Sequence, residues 1–508
     1  MKCGLDGSFA SRRRISSVAC SVTLSVCRFG AGPRCRRQPM REFPVMDIPA
    51  PVDPDQIPTL SGVFRPVCEE RDAPNLTVTG ELPSDLRGSY IRNGPNPMFP
   101  PLGSYTFPIE GDAMLHGIWI DEDGTVRYRN RFVWTPQLRL EEQAGKALWA
   151  GLFTPYFPGT DVVPEPYANT FKPAPFINVV HHGGRWLALS EVDPPWEVSD
   201  GLEVVGTEPF TWEGAIPGMC AHPRLDPTTN ELVFFRYDLT EPYLTWGVIG
   251  ANGTVTQPLT PIDVDGSYMI HDFVLTRSSI VLFVAPAKFD LNALITGSGP
   301  PLGWHGDEPL RVAVVSRDSG AVRWIETEPF WVYHFANGFD DGDEIVIDLC
   351  QWSRFALGPA PDQTGAAMRA RINTTTHSLS LDSWDDQISE FPRIDDRMQT
   401  QPHRFFNYSS KSPGLGQGHY NVLNRVDTAT GTVTRSNCGT MVFDEVVFAP
   451  APGGGDEHGY LVAFRTDVET LQSDWAVWDA SDVAAGPIAT VEMPFRVPAG
   501  LHGNWFPA

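Results

Sequence analysis

The chain of 508 residues has no apolar run approaching the roughly 18 residues that a membrane-crossing helix needs, so no spanning helix is written into it. It has eight cysteines but no C-x-x-C pair, and therefore no signature of a zinc ribbon or a thioredoxin-type redox site. Cys3, Cys20, Cys27 and Cys35 lie near the start, while Cys68, Cys220, Cys350 and Cys438 are isolated and read as buried or free thiols in a reducing compartment. There is no H-E-x-x-H, no G-x-S-x-G elbow and no P-loop. The cluster Gly453-Gly454-Gly455 lacks the strand–helix setting of a dinucleotide loop, so no nicotinamide or flavin is signalled. Positive charge is scarce as well: 38 Lys and Arg against 62 Asp and Glu give a net charge of −24. Most of the chain is too acidic to accept phosphate backbones, which excludes a nucleic-acid partner.

Nine of the 38 basic residues fall within residues 1–45, where Lys2, Arg12, Arg13, Arg14, Arg28, Arg34, Arg36, Arg37 and Arg41 face only Asp6 and Glu42. Arg12-Arg13-Arg14 ahead of Val18–Val26 imitates a signal peptide, and the Arg/Ser-rich, acid-poor character also suits an organelle transit peptide. The favoured reading is an unstructured or non-native extension, with the folded protein beginning near Met40 or Met46 and lying in the cytoplasm. Residues 46–508 are expected to form one domain.

Proline (47) and glycine (46) are abundant and scattered, which favours many short strands over long helices. Strand-like runs recur at Val126–Trp134, Arg185–Ser190, Leu232–Tyr237, Ile280–Ala285, Arg311–Ser316, Ile345–Cys350 and Tyr460–Arg465. Hairpin signals stand at Asp123-Gly124, Asp318-Ser-Gly320 and Thr428-Ala-Thr-Gly431. An all-β sandwich, barrel or propeller follows, and the length is too great for one sandwich but enough for a propeller of four-stranded blades. No W-D or kelch repeat marks the blades. Gln137–Leu152 alone has helical spacing, through Leu140, Ala144, Ala147 and Leu148.

Four histidines stand in unlike contexts: Ala-His222-Pro-Arg-Leu-Asp, Met-Ile-His271-Asp-Phe, Tyr-His334-Phe-Ala-Asn and Gly-Leu-His502-Gly-Asn. They are 49, 63 and 168 residues apart, so only a fold could assemble them into one metal site. Taken singly, each reads most simply as a hydrogen-bonded core residue.

The surrounding residues change that reading. Leu86-Arg-Gly-Ser-Tyr-Ile-Arg-Asn-Gly-Pro-Asn-Pro97, Glu110-Gly-Asp-Ala-Met-Leu-His116, the four histidine segments and Glu390-Phe-Pro-Arg-Ile-Asp395 occur in the order of the carotenoid cleavage oxygenases. The chain resembles that family from about residue 60 onward. The resemblance implies a seven-bladed β-propeller with a helical and loop lid over an axial iron site. It implies Fe(2+) held by His222, His271, His334 and His502, with Glu191, Glu390 and Glu445 orienting His271, His334 and His502 respectively. His116, His181, His182, His305, His377, His403, His419 and His458 match no ligand position. Gln137–Leu152, the Pro-rich Phe153–Pro175 and the apolar Phe289–Trp304 loop would form the lid.

The implied reaction is cleavage of a C=C bond by O2 into two carbonyls. Relatives acting on hydroxystilbenes read the phenol with a lid tyrosine and a lysine before the first glutamate. Leu152 and Ser190 stand at those positions here, which favours an apolar carotenoid or apocarotenoid. Phe107, Trp149, Phe153, Tyr268 and Trp304 are the tunnel candidates. A family threonine near the oxygen site corresponds to Thr170 only with a displacement that leaves Ile177 at the matching spot. Peripheral membrane contact through Phe289–Leu302 and Leu148–Phe157 is expected for substrate uptake. The alternatives are a stilbenoid dioxygenase, a retinoid isomerohydrolase-like enzyme and a non-catalytic propeller scaffold.

Overall fold

In the computed structural model, which describes residues 47–508 apart from Pro155, Gly297, Pro359, Pro361 and Gln417, seven antiparallel sheets surround a common axis. The expected basic extension lies outside the described residues. Blade one contains Gly88–Arg92, Met114–Ile120, Val126–Phe132 and Arg71–Ala73, completed at its inner edge by Gly503–Pro507. Blade two is the three-stranded sheet Asn178–His182, Arg185–Leu189 and Trp196–Val198. The inner strands of blades three to six are Arg224–Asp226, Val274–Leu275, Trp331–Asp341 and Ser389–Arg393, each the first strand of a four-stranded sheet. In blade seven, Met441–Phe443 and Val447–Pro450 both pair with Gly459–Asp467, and Val78–Gly80 supplies the outer edge.

The sequence dictates which strands face water. Along Val126–Phe132, Val126, Tyr128, Asn130 and Phe132 are buried while Arg127, Arg129 and Arg131 are not, the period of a half-exposed sheet. Ser279–Val284 is buried at every residue because neighbouring blades cover both its faces. Trp331, Trp475, Trp478, Phe234 and Phe273 fill the spaces between sheets, and each buried aromatic contributes roughly 1.5–3 kcal/mol.

The ring is closed by strands from opposite ends of the described chain. Gly88–Arg92 pairs with Gly503–Pro507, and Val78–Gly80 pairs with Pro487–Glu492. Gly88 has φ +141°, and a Cβ there would lie 2.2 Å from the Phe506 carbonyl oxygen. Only glycine permits that approach.

The lid departs from the sequence expectation in two places. The helix covers Pro136–Ala144 and stops well short of Leu152. Thr135 caps its start by accepting from the Leu138 N–H, and Gly145, at φ +65°, turns the chain out of the helix. Leu148 and Trp149 then donate their N–H groups to Glu141 Oε1 at 2.8 and 3.3 Å instead of continuing the helical ladder. Phe289–Trp304 is not a plain loop: Ala287–Phe289 pairs with Leu302–Trp304 around the short helix Leu291–Thr296. Among the described residues no helix is long and apolar enough to cross a membrane. Cys220, Cys350 and Cys438 are free thiols.

Candidate metal centre

His222 and His271 lie just before the inner strands of blades three and four, and His502 just before that of blade one. His334 lies within the inner strand of blade five, where the pairing slips between Val332 and Phe335. Such a bulge re-aims a side chain, and here it turns His334 toward the axis. A second slip between Glu390 and Arg393, with Phe391 at φ +55°, does the same for Glu390 in blade six.

The structure brings the four histidines together. Nε2 of His271 lies 3.1 Å from that of His222 and 3.2 Å from that of His334, which is 3.1 Å from that of His502. The Nδ1 atoms of three of them point away from this cluster. His271 Nδ1 is 2.8 Å from Glu191, His334 Nδ1 is 2.5 Å from Glu390, and His502 Nδ1 is 3.0 Å from Glu445. A carboxylate at Nδ1 holds the proton there and leaves Nε2 as a bare lone pair facing inward. His222 has no such glutamate among the described residues.

Blades two, six and seven, which hold no histidine of the cluster, carry Glu191, Glu390 and Glu445. Each of the seven blades thus gives one side chain to the centre.

The donor set fits a cation. Four inward lone pairs would repel one another unless something positive lay between them. Two nitrogens about 2.1 Å from one ion, at right angles about it, stand about 3.0 Å apart, close to the spacing found. Burial pushes His502 down to about 4 and holds His222 well below its ordinary value, so both imidazoles are neutral. Burial alone would raise Glu445, but Arg393 and His502 outweigh it and bring the carboxyl down to about 2. The remaining histidines lie outside the cluster; His116, for example, bonds the Tyr128 hydroxyl at 2.7 Å.

Several braces escaped the sequence reading, although the motifs contained Arg224, Asp272 and Arg393. Arg224, two residues after His222, reaches Asp272 at 2.5 Å and the Phe335 carbonyl at 3.1 Å, tying together the neighbours of three histidines. Arg393 bonds Glu445 at 2.9 Å, and the Trp352 indole bonds Glu390 at 2.5 Å.

A largely apolar cavity of about 450 Å³ opens on His271, His334 and His502. Its walls include Phe107, Tyr333, Trp352, Phe355, Phe391 and Tyr420. Of the expected tunnel aromatics only Phe107 lies there; Trp149 lines a separate cavity of about 160 Å³ in the lid. Ile177 is in the wall, whereas the Thr170 hydroxyl is turned to the Tyr167 carbonyl. Leu152 is 38% exposed and outside this cavity, and the Ser190 hydroxyl is occupied by Asp193 at 3.2 Å.

The profile of the retinal pigment epithelial membrane protein family matches residues 64–507. The chain belongs to that family, the carotenoid cleavage oxygenases. The carotenoid cleavage oxygenase of Mycobacterium tuberculosis is 31% identical, covering 89% of this chain and 98% of its own. Isoeugenol monooxygenase of Pseudomonas nitroreducens is 30% identical over the same shares. The crystal structure of Pseudomonas brassicacearum lignostilbene dioxygenase superposes with a TM-score of 0.82 at 26% identity, covering 91% of this chain and all of that one. Family membership makes the protein an oxidoreductase of the oxygenase class.

Proposed function

We propose that this carotenoid cleavage oxygenase is an iron(II) dioxygenase that splits a C=C bond of a carotenoid or apocarotenoid into two carbonyls. His222, His271, His334 and His502 would hold the iron, which supplies activation of O2. Glu191, Glu390 and Glu445 would hold the Nδ1 protons and so keep each lone pair on target. The aromatic wall would bind the polyene by shape and exclude water from the reacting bond. The observation that carries the choice of substrate is the apolar cavity, with neither Leu152 nor Ser190 offering a group to a phenol at its wall. A site built to bond a hydroxyl discriminates by roughly 10⁴–10⁵ against analogues without one; this cavity has no such means at those two positions. Exposed Leu152 and Phe171 support peripheral contact of the lid with a membrane surface.

The relatives named for isoeugenol and lignostilbene give a phenolic alkene as the second reading. A side-by-side assay of the iron-loaded enzyme decides between them by the aldehydes released. Polyene cleavage with little turnover of resveratrol-type stilbenes is expected. Efficient stilbene cleavage with no polyene product would overturn the first reading.

A further inference from the structure

The cavity beside the histidine cluster contains one Lys or Arg side chain among the described residues, Lys411. Every carboxylate in the same wall is committed elsewhere: Glu191 to His271, Glu390 to His334, and Asp444 to Arg92 at 3.2 Å and the Gly500 N–H at 2.8 Å. Lys411 itself is half-buried and makes no ion pair or hydrogen bond among the described residues. A partly desolvated ammonium without a counter-charge is unfavourable unless a ligand supplies one.

Strand pairing fixes where that charge stands. Ser410 pairs with Ser389 in blade six, so Lys411 follows on opposite Ile388, another wall residue. It is therefore one strand across and two positions along from Glu390, a backbone separation of about 8 Å. Tyr420 lines the same cavity.

We infer that Lys411 receives a carboxylate at one end of the substrate, so that the preferred ligand is a polyene acid held at a fixed distance from the histidine cluster. The inference rests on the polyene reading above and adds the end group. A carboxylic acid is ionised at neutral pH, whereas a phenol, with a pKa of about 10, is not, so only the acid brings the missing counter-charge. Anchoring one end also sets which double bond lies over the histidines, so Lys411 would act as a positioning residue for the cleavage site.

The test uses the full-length iron-loaded protein with an apocarotenoic acid and its methyl ester. Binding is followed by quenching of tryptophan fluorescence, and cleavage by the chain lengths of the products. The wild type should bind the acid roughly 10–100-fold more tightly than the ester, the range for a hydrogen bond to a charged group, and should give one dominant product pair from the acid. Lys411→Met should bind acid and ester alike and give mixed products, while Lys411→Arg should keep the preference at unchanged iron content. Equal binding of both ligands by the wild type, or a preference that survives in Lys411→Met, would overturn the role of Lys411 while leaving polyene cleavage intact. If neither polyene is bound or cleaved, it is the polyene reading that fails, and the inference with it.

Discussion

To hold the proposed metal, each histidine of the cluster would have to present an unprotonated Nε2, and for three of the four a carboxylate lies at Nδ1 to keep the proton there. Replacing Glu445 by Gln removes the charge that accepts from His502 and leaves Arg393 in an incompletely neutralised pocket. Metal affinity should fall about 10–100-fold, measured by competition with a chelator. Replacing His334 by Ala should empty the site and abolish cleavage while the far-ultraviolet dichroism stays near that of the wild type. The four histidines and Glu390 could be named together because each sits in a short segment that matches the family, whereas Glu191 and Glu445 were named only through the resemblance and read alone as surface charges. The cavity wall was not legible. Among 56 aromatics a strand position gives no sign of which ring faces the axis, and Phe391 does so only through a left-handed backbone at a bulge.

At the scale of single elements the lid is held by local devices. Gly145 ends the helix in a left-handed conformation, and a methyl group on its Cα would meet nothing within 4 Å. Gly145→Ala should therefore cost only the conformational penalty, about 1–2 kcal/mol, seen as faster hydrogen exchange in Pro136–Ala144. Helical spacing misplaced this end because Ala147 and Leu148 continue the apolar pattern while being buried by other means. Glu110 adds a pH dependence. Burial raises its carboxyl to about 7, against the partial relief of the Leu152 N–H. Between the ordinary value near 4.5 and about 7, the folded state keeps a proton that the unfolded state has released. Stability from this group is therefore greatest at low pH and falls as pH rises through 7. The denaturation midpoint of Glu110→Gln relative to the wild type should accordingly rise between pH 5 and pH 8.

For the whole molecule, closure of the ring is the weak point. Gly88→Ala combines a disallowed backbone with a clash against the strand that carries Asn504 and Trp505, which begins one residue beyond His502. It should cost at least about 2 kcal/mol and weaken metal binding in parallel, whereas Gly145→Ala should leave metal binding alone. Paired calorimetry and metal titration of the two variants would separate these outcomes. Short strands and turn signals gave the all-β class and the length allowed a propeller, but the choice of a propeller and its seven blades came only with the family resemblance. They hold from three to six strands and share no repeated motif.

One side chain from every blade meets at the axis, and this sets an order of events during synthesis. Glu191 leaves the ribosome long before His502, and no partial product contains a complete set of donors. On the iron(II) reading proposed above, the metal would have nothing to template early on. It would arrive after the last blade has docked, as a seal on a finished ring, and its retention would report in a single measurement that all seven blades are in place.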